Sequence, residues 1–329
     1  MKARIIGTGS YLPERVLTNR DLEQMVETSD EWIFTRTGMK ERRIAAEDEF
    51  TSDMGAAAAR KALEKANLKA EELDLILVAT LTPDYIFPST AVLIQNELKA
   101  PQAAAFDFQA ACTGFLYGLS IAKGYIESGF YKNILVVASE KLSSIVDYKD
   151  RNTCILFGDG AAAAVVSGNG SGLAIREICL GADGEVAELL MLPAGGCREP
   201  ASIDSVAKGK HFIAMDGKEV FKHAVRRMEG AAKECLEKAN LSEDAVDWLI
   251  PHQANKRIID AIAKRFSIED EKVYKTVEKY GNTSASAVAI ALDELILEKT
   301  INEGENILLV AFGAGFTWGA TLLTMESDG

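Results

Sequence analysis

The chain has 329 residues, of which 48% are hydrophobic and 26% are charged, the proportions of an ordinary globular protein with a large buried core. A formal net charge of -13 argues against non-specific binding of nucleic acid. The five cysteines are an odd number without a Cys-x-x-Cys pair. That pattern argues against a disulfide framework or a metal site and favours a reducing cytoplasm.

Apolar runs of strand length alternate along the chain with helical patterns rich in Ala, Leu, Glu and Lys, an order that indicates an α/β layered fold. The predicted strands cover residues 5–7, 73–79, 134–139, 161–167, 248–251 and 307–312. The clearest predicted helices cover residues 52–67 and 220–240. Residues 193–211, rich in Gly, Pro and Ser, predict a surface loop or flap.

Two stretches of the chain bear on targeting and membrane insertion. Residues 1–13 lack the layout of a signal peptide. Residues 307–325 contain no charged side chain, but Gly313, Gly315 and Gly319 interrupt them, so two buried strands joined by a turn are expected. We therefore expect a cytoplasmic protein without a membrane partner.

Three segments of the chain recur at the same spacing of 173 positions. Residues 63–68, 73–77 and 133–137 resemble residues 236–241, 246–250 and 306–310. An ancient duplication explains this agreement and predicts two similar halves, residues 1–170 and 171–329. A ligand site is expected between the halves, at the ends of strands.

Cys112 is the candidate nucleophile. It follows a short predicted strand over residues 106–108 and opens the apolar helix predicted over residues 115–127. At a helix N-terminus, free backbone N–H groups and the helix dipole favour the thiolate. The competing interpretation is a buried cysteine that acts as a small hydrophobic residue.

His252 and Asn282 are the candidate partners of Cys112. His252 follows the strand predicted over residues 248–251, and Asn282 lies in a turn that opens a helix. A structural histidine and a helix N-cap are the alternative roles. No protease signature surrounds Cys112, whereas a neutral imidazole and an amide can both donate hydrogen bonds to a developing enolate oxygen.

Four motifs together resemble the beta-ketoacyl-acyl-carrier-protein synthase III family, which initiates bacterial type II fatty-acid synthesis. They are Ala111-Cys112-Thr113-Gly114, His252-Gln253-Ala254-Asn255, Gly281-Asn282-Thr283-Ser284 and the glycine-rich residues 313–319. The resemblance extends over essentially the whole chain. It implies an α/β, thiolase-like five-layer αβαβα fold from two duplicated halves, and a homodimer that needs no cofactor.

The resemblance also implies a ping-pong reaction through a thioester on Cys112. An acyl-CoA first acylates Cys112, and malonyl on acyl carrier protein then loses CO2 and attacks the thioester. His252 and Asn282 would stabilise the malonyl enolate. The backbone N–H of Cys112 and that of Ala314, where the family often has Gly, would hold the thioester oxygen.

Further positions match the family's substrate contacts. Trp32 would stack on the CoA adenine, and Arg36 and Arg151 would flank the adenine and phosphate end of CoA. The alternative is a core aromatic residue and two surface ion pairs. The pantetheine tunnel would be lined by Gly217, Phe221 and Asn255. Phe87 would reach across the dimer to close the acyl pocket and limit the primer to a short acyl group such as acetyl; packing beneath a Pro turn is its alternative.

A cluster of basic residues follows His252. Lys256, Arg257, Lys264 and Arg265, with Lys222 and Arg226, would dock the acidic carrier protein, although a charge run is usually a solvated helix face.

Several rival functions share parts of this pattern. A degradative thiolase needs a second cysteine in the glycine-rich turn, and residues 313–319 contain none. Elongating ketosynthases use two histidines where this chain has Asn282. A ketosynthase of secondary metabolism and a hydroxymethylglutaryl-CoA synthase remain alternatives. So does an inactive scaffold homologue, against which the intact Cys112 and His252 argue.

Overall fold

A computed structural model describes residues 1–327 of the chain. The strands are β1 (Arg4–Tyr11), β2 (Arg15–Thr18), β3 (Glu41–Ile44), β4 (Leu75–Ala79), β5 (Ala104–Phe108), β6 (Asn133–Glu140), β7 (Gly160–Ser167), β8 (Gly172–Ala182), β9 (Leu190–Met191), β10 (Ala214–Met215), β11 (Trp248–Pro251), β12 (Asn306–Gly313) and β13 (Thr317–Glu326). The helices are α1 (Asn19–Leu22), α2 (Asp30–Thr37), α3 (Thr51–Lys65), α4 (Thr90–Leu98), α5 (Gly114–Glu127), α6 (Arg151–Cys154), α7 (Ile203–Ala207), α8 (Gly217–Lys238), α9 (Lys256–Arg265), α10 (Val277–Tyr280) and α11 (Ser286–Glu298). Each predicted strand and both predicted helices are confirmed, with ends displaced by a few residues.

Nine strands form one hydrogen-bonded sheet in the order β11-β12-β13-β8-β1-β7-β6-β4-β5. Its two parts meet at β1 and β8, which share only the pairs Arg4–Ala174 and Ile5–Leu173. Strand β4 pairs in parallel with β5 and β6, and β11 with β12, while the remaining pairs are antiparallel. The narrow junction divides the sheet into an N-terminal part, β5-β4-β6-β7-β1, and a C-terminal part, β8-β13-β12-β11.

Alternating side chains on each strand belong to different hydrophobic clusters, because successive residues of a strand point to opposite faces. On β12, Leu309 packs into the cluster between the two parts of the sheet, and Leu308 packs into the cluster beneath α8 and α9. Helices α5 and α11 contact strands of both parts, whereas α3 and α4 cover the outer face of the N-terminal part. The layers therefore run α, β, α, β, α, which confirms the expected five-layer fold.

Residues 307–325 form most of the antiparallel pair β12 and β13, as expected from their glycines. Among the helices of residues 1–327, none combines the length and the apolar character that a membrane crossing requires.

The repeat found in the sequence is also present in the secondary structure. Strands β4 and β11 begin at Leu75 and Trp248, and β6 and β12 begin at Asn133 and Asn306, in both cases at the spacing found in the sequence. The division into residues 1–170 and 171–329 falls in the connection between β7 and β8 and stays a prediction.

Strand β1 packs against α3 at a distance that only glycine permits. A Cβ atom on Gly9 would lie 2.5 Å from the Ala58 carbonyl oxygen and 2.6 Å from the Ala62 nitrogen. We expect Gly9→Ala to lower the free energy of unfolding by roughly 1–3 kcal/mol, because backbone must move. The urea midpoint measures this loss.

The control for this prediction is Gly230→Ala in α8, where a Cβ atom meets nothing within 4 Å. Alanine there should stabilise the chain by roughly 0.5–1 kcal/mol through helix propensity. An unchanged midpoint for Gly9→Ala would contradict the close packing of β1 on α3.

Candidate active site

Cys112 lies in a tight turn between β5 and α5. Residues Ala111–Thr113 form a single 3-10 turn that runs directly into α5, and Ala111 adopts a left-handed φ of 48°. The side chain of Cys112 is buried, with 7% of its surface exposed. The setting predicted for the nucleophile, a strand followed by a turn and a helix, is confirmed.

The turn between β12 and β13 presses directly on this cysteine. A Cβ atom on Gly313 would lie 2.6 Å from the Cys112 backbone nitrogen, so only glycine allows the approach. The Thr113 hydroxyl donates to the Thr317 hydroxyl at 2.8 Å, and Thr317 donates to the Ala110 carbonyl at 3.0 Å. These bonds tie the glycine-rich turn of the C-terminal part to the cysteine turn of the N-terminal part.

His252 follows the end of β11. Its backbone N–H donates to the Val310 carbonyl of β12 at 2.7 Å, and its side chain is 3% exposed. The next residue, Gln253, accepts hydrogen bonds from the backbone of Thr276 at 2.8 Å and Val277 at 3.1 Å. Gln253 thereby connects the histidine loop to the segment that leads to Asn282.

Asn282 is oriented by its own turn. Its backbone N–H donates to the Leu156 carbonyl at 2.8 Å, and its side-chain oxygen accepts from the Ser284 N–H at 2.9 Å. Because the amide oxygen is occupied, the amide nitrogen is left as a hydrogen-bond donor.

Two cavities meet at Cys112. The larger, of about 860 Å³, is lined by Cys112, His252, Asn282 and Gly313 among others. The smaller, of about 460 Å³, is largely apolar and is lined by Leu81, Ile145, Ala314 and again Cys112. Cys112 therefore lies in the wall of both cavities.

A family model described as 3-oxoacyl-[acyl-carrier-protein (ACP)] synthase III matches residues 106–184, and the model for the C-terminal part of the same enzyme matches residues 236–325. The beta-ketoacyl-[acyl-carrier-protein] synthase III of Chlamydia caviae is 63% identical, with 98% of this chain and 96% of the relative covered. That of Caldanaerobacter subterraneus is 56% identical, with 98% and 97% covered.

This chain belongs to the beta-ketoacyl-[acyl-carrier-protein] synthase III family. Solved structures agree with the assignment. The 3-oxoacyl-[acyl-carrier-protein] synthase III of Aquifex aeolicus matches with a TM-score of 0.91 and 52% identity over 98% of this chain and 99% of the other. The enzyme of Thermus thermophilus matches with a TM-score of 0.91 and 44% identity over 99% and 100%. The chain is thus a condensing acyltransferase with the thiolase-like fold.

Burial dominates the protonation of this synthase III site. It lowers the pKa of His252 to about 4, so the imidazole is neutral at physiological pH. It raises the pKa of the Cys112 thiol to about 12, although the Ser284 hydroxyl and a backbone N–H act in the opposite direction. The backbone N–H at this turn favours the thiolate, as expected, but desolvation by burial has the larger effect on the pKa of the thiol in the resting chain.

The residues matched to the adenine end of CoA lie together. The guanidinium carbon of Arg36 is 4.5 Å from the centre of the Trp32 ring, and that of Arg151 is 4.8 Å from it. Trp32 and Arg36 line the larger cavity. Within residues 1–327 neither arginine forms an ion pair, so the alternative of surface ion pairs was wrong.

The residues matched to the pantetheine tunnel line the same cavity. Gly217 and Phe221 lie in the first turns of α8. Asn255 caps α9, where its side-chain oxygen accepts from the Ile258 N–H at 3.0 Å. Its N-cap role and its place in the cavity wall are therefore compatible.

The basic residues divide into two groups. Lys222 and Arg257 line the larger cavity, and Arg257 stands 5.6 Å from the Phe221 ring centre. Lys256, Lys264 and Arg265 lie on α9 outside the cavity wall, with Lys256 paired to Asp260 at 2.7 Å and Arg265 to Glu229 at 3.5 Å.

Phe87 does not line either cavity at Cys112 within its own chain. It is 85% exposed and lines neither cavity, so packing beneath its own Pro turn was wrong. Its neighbours Tyr85 and Ile86 are 60% and 87% exposed.

Two residues beside Cys112 were not singled out from the sequence. Ser284 lies in the motif of Asn282 and lines the small cavity together with Cys112, and its hydroxyl lowers the pKa of the thiol. Glu140 ends the buried strand β6 and is fully buried itself. The sequence offered one signal for Glu140, which is an acidic residue directly after the apolar strand predicted over residues 134–139.

Alkylation with iodoacetamide measures the protonation of Cys112. Because burial keeps the thiol protonated, the rate of inactivation should be at least about tenfold lower at pH 6 than at pH 8. The measurement is residual condensing activity, with peptide mapping to locate the label. Cys197→Ser is the background, since Cys197 is exposed and the other three cysteines are buried.

A rate of inactivation that is already constant between pH 6 and pH 8 would contradict the protonated resting thiol. Loss of activity with the label on a cysteine other than Cys112 would contradict its role as the nucleophile.

Proposed function

We propose that the chain condenses a short acyl-CoA, above all acetyl-CoA, with malonyl-acyl carrier protein to form a 3-oxoacyl-acyl carrier protein and CO2, and so initiates type II fatty-acid synthesis. The observation that carries this proposal is the convergence of Cys112, His252 and Asn282 on one cavity. Each comes from a different loop, and the cavity also reaches Trp32.

Cys112 carries the acyl group in the first half-reaction. The thiol attacks the thioester carbonyl of acyl-CoA, and CoA leaves as its thiolate. The backbone N–H groups of Cys112 and Ala314 stabilise the tetrahedral oxyanion, a role supported by the contact of the glycine-rich turn with the cysteine.

His252 and Asn282 promote decarboxylation in the second half-reaction. The neutral imidazole of His252 offers one N–H. The Ser284 N–H donates to the amide oxygen of Asn282 and so fixes the amide, whose nitrogen is the second donor. Both donors stabilise the enolate oxygen that develops as malonyl loses CO2. The enolate carbon then attacks the thioester on Cys112, and the Cys112 thiolate leaves.

The larger cavity binds the CoA and pantetheine portions of the substrates. Trp32, with Arg36 and Arg151, holds the adenine and phosphate end, where guanidinium groups already stack on the indole. Gly217, Phe221 and Asn255 form the wall along which pantetheine extends. The reaction needs no cofactor, because acyl-CoA is a substrate.

The acidic carrier protein docks on the basic residues near the mouth of this cavity. Lys222 and Arg257 stand in the cavity wall, and Lys256, Lys264 and Arg265 extend the surface along α9. The ion pairs of Lys256 and Arg265 are exposed, and such pairs are worth only about 0–1 kcal/mol, so a partner displaces them at little cost. A cytoplasmic location accompanies these partners, and the free cysteines support it.

The chain acts as a homodimer. Strand β5 lies at the end of the sheet order, where an unpaired edge is a template for another strand. Phe106 on β5 is 39% exposed, and Tyr85, Ile86 and Phe87 form an exposed apolar run. Pairing of two copies at this edge would cover these side chains and bring Phe87 of one copy to the small cavity of the other, which restricts primer length.

A reconstituted assay tests the function. Purified chain, malonyl-acyl carrier protein and acyl-CoA primers of increasing length and branching should give the fastest condensation with acetyl-CoA. His252→Ala should keep the transfer of acetyl to Cys112 and lose condensation by roughly 10²–10³-fold, since one enolate donor is removed. Product formation and acyl-enzyme mass measure the two half-reactions.

His223→Ala is the control for this assay, since His223 lies on α8 and lines neither cavity. It should condense at the normal rate. Normal condensation by His252→Ala would contradict the enolate role, and failure of every acyl-CoA primer would contradict the proposed function.

Sedimentation velocity tests the dimer. The chain should sediment as a dimer, and Phe106→Lys should shift it toward the monomer, because a charge at the edge strand opposes pairing. Phe130→Lys is the matched control, since Phe130 is 69% exposed at the turn between α5 and β6. A monomeric wild type, or equal effects of the two variants, would contradict the interface at β5.

A further inference from the structure

The thiol of Cys112 must lose a proton on acylation and regain one on product release. His252 is committed to the enolate, and burial holds the thiol protonated in the resting chain. The surroundings of Cys112 therefore need a separate group that accepts the proton and returns it.

Ser284 stands beside the thiol. Its hydroxyl comes close enough to both the Cys112 thiol and the Glu140 carboxyl to lower the pKa of each. Neither approach reaches full hydrogen-bond geometry, and within residues 1–327 the Ser284 hydroxyl and the Glu140 Oε1 are both buried without a partner. The small cavity brings these groups together, because Cys112, Ser284 and Leu81 line it and the Leu81 N–H donates to Glu140.

The backbone of Ser284 supports a role for its side chain. Its φ of 54° lies in the left-handed region, where glycine is less strained than any residue with a Cβ atom. Ser284 is buried, with 1% of its surface exposed, and it lines the small cavity. A serine at a glycine-like position indicates that the hydroxyl itself is needed there.

Hydrogen bonds to the other carboxyl oxygen, Oε2, hold Glu140 in place. Oε2 accepts hydrogen bonds from the Leu81 N–H at 2.9 Å, the Thr82 hydroxyl at 3.0 Å and the Thr80 hydroxyl at 3.2 Å. Oε1 is therefore the oxygen left to exchange a proton. Among the described residues, the titratable group that acts on Cys112 electrostatically is this carboxyl.

We propose that Ser284 and Glu140 form a proton relay that takes the Cys112 proton during acylation and returns it when the condensation product leaves. This inference rests on the proposed function, since it concerns the acyl transfer to Cys112. Glu140 acts through Ser284 and does not contact the substrate.

Over one turnover, the relay returns to Cys112 the proton that it takes. On acylation the sulfur–carbon bond forms as the thiol proton passes to the Ser284 oxygen, whose own proton passes to Glu140. CoA leaves as a thiolate and is protonated from solvent. On release of the 3-oxoacyl product the Cys112 thiolate takes a proton from Ser284, which is reprotonated by Glu140.

Burial supports this assignment by raising the pKa of Glu140 to about 7, against the hydrogen bonds that lower it. The carboxylate, which accepts the proton, prevails above that pH. The rate of Cys112 acylation should therefore rise with pH up to about 7 and then level.

The test compares the two half-reactions in Glu140→Gln and Ser284→Gly. Acylation by radiolabelled acetyl-CoA at pH 7.5 should fall by roughly 10²-fold in both, the usual contribution of a general base. The plateau should be replaced by a rate that increases continuously with pH. Decarboxylation of malonyl-acyl carrier protein without primer should be unchanged, because His252 and Asn282 perform it.

Two further variants separate a relay from a structural role. Glu140→Asp should recover part of the acylation rate together with the plateau. Asp159→Asn removes another carboxyl that is fully buried and lies outside both cavities, and it should change neither the plateau nor the ratio of the half-reactions.

The outcomes are distinguishable. A wild-type acylation rate and plateau in Glu140→Gln would overturn the relay. So would a parallel loss of acylation and decarboxylation in Glu140→Gln that Glu140→Asp does not partly restore. A wild-type chain that takes no acyl group from acetyl-CoA would instead overturn the proposed function.

Discussion

The contact between Gly313 and the backbone of Cys112 is the constraint on which the site depends. It brings the turn of β12 and β13 against the turn between β5 and α5, at a separation that leaves no room for a Cβ atom. Because the two turns belong to different parts of the sheet, the nucleophile and its neighbours are assembled only when both parts pack on α5 and α11. The hydrogen bonds of Thr113 and Thr317 hold the assembly together.

The same close packing excludes water and sets the charge state of the site. Desolvation disfavours every charged form, so it raises the pKa of Cys112 and Glu140 and lowers that of His252. A neutral imidazole suits a hydrogen-bond donor to an enolate, whereas a protonated thiol is a weak nucleophile. In the proposed mechanism, burial therefore favours decarboxylation through the neutral His252, whereas acylation of Cys112 requires a proton acceptor.

Much of the architecture was predictable because it follows local patterns. The strands over residues 248–251 and 307–312 are apolar on both faces, and the duplication at a constant spacing indicated two similar α/β halves. The positions of Cys112 and His252 at strand ends were likewise readable. The protonation of the thiol was not, because it depends on burial, and the residues that bury Cys112 include Gly313, about 200 positions further along the chain.

The sequence by itself determined the alternation of strands and helices, the repeat, and the motifs of the synthase III family, since each is written in neighbouring residues. Only the tertiary structure decided which side chains meet. It placed Ser284 and Glu140 beside Cys112, put Arg36 and Arg151 on Trp32, and left Phe87 exposed. The physical reason is that proximity, desolvation and the unpaired edge of β5 arise from packing between distant segments, which no local pattern encodes.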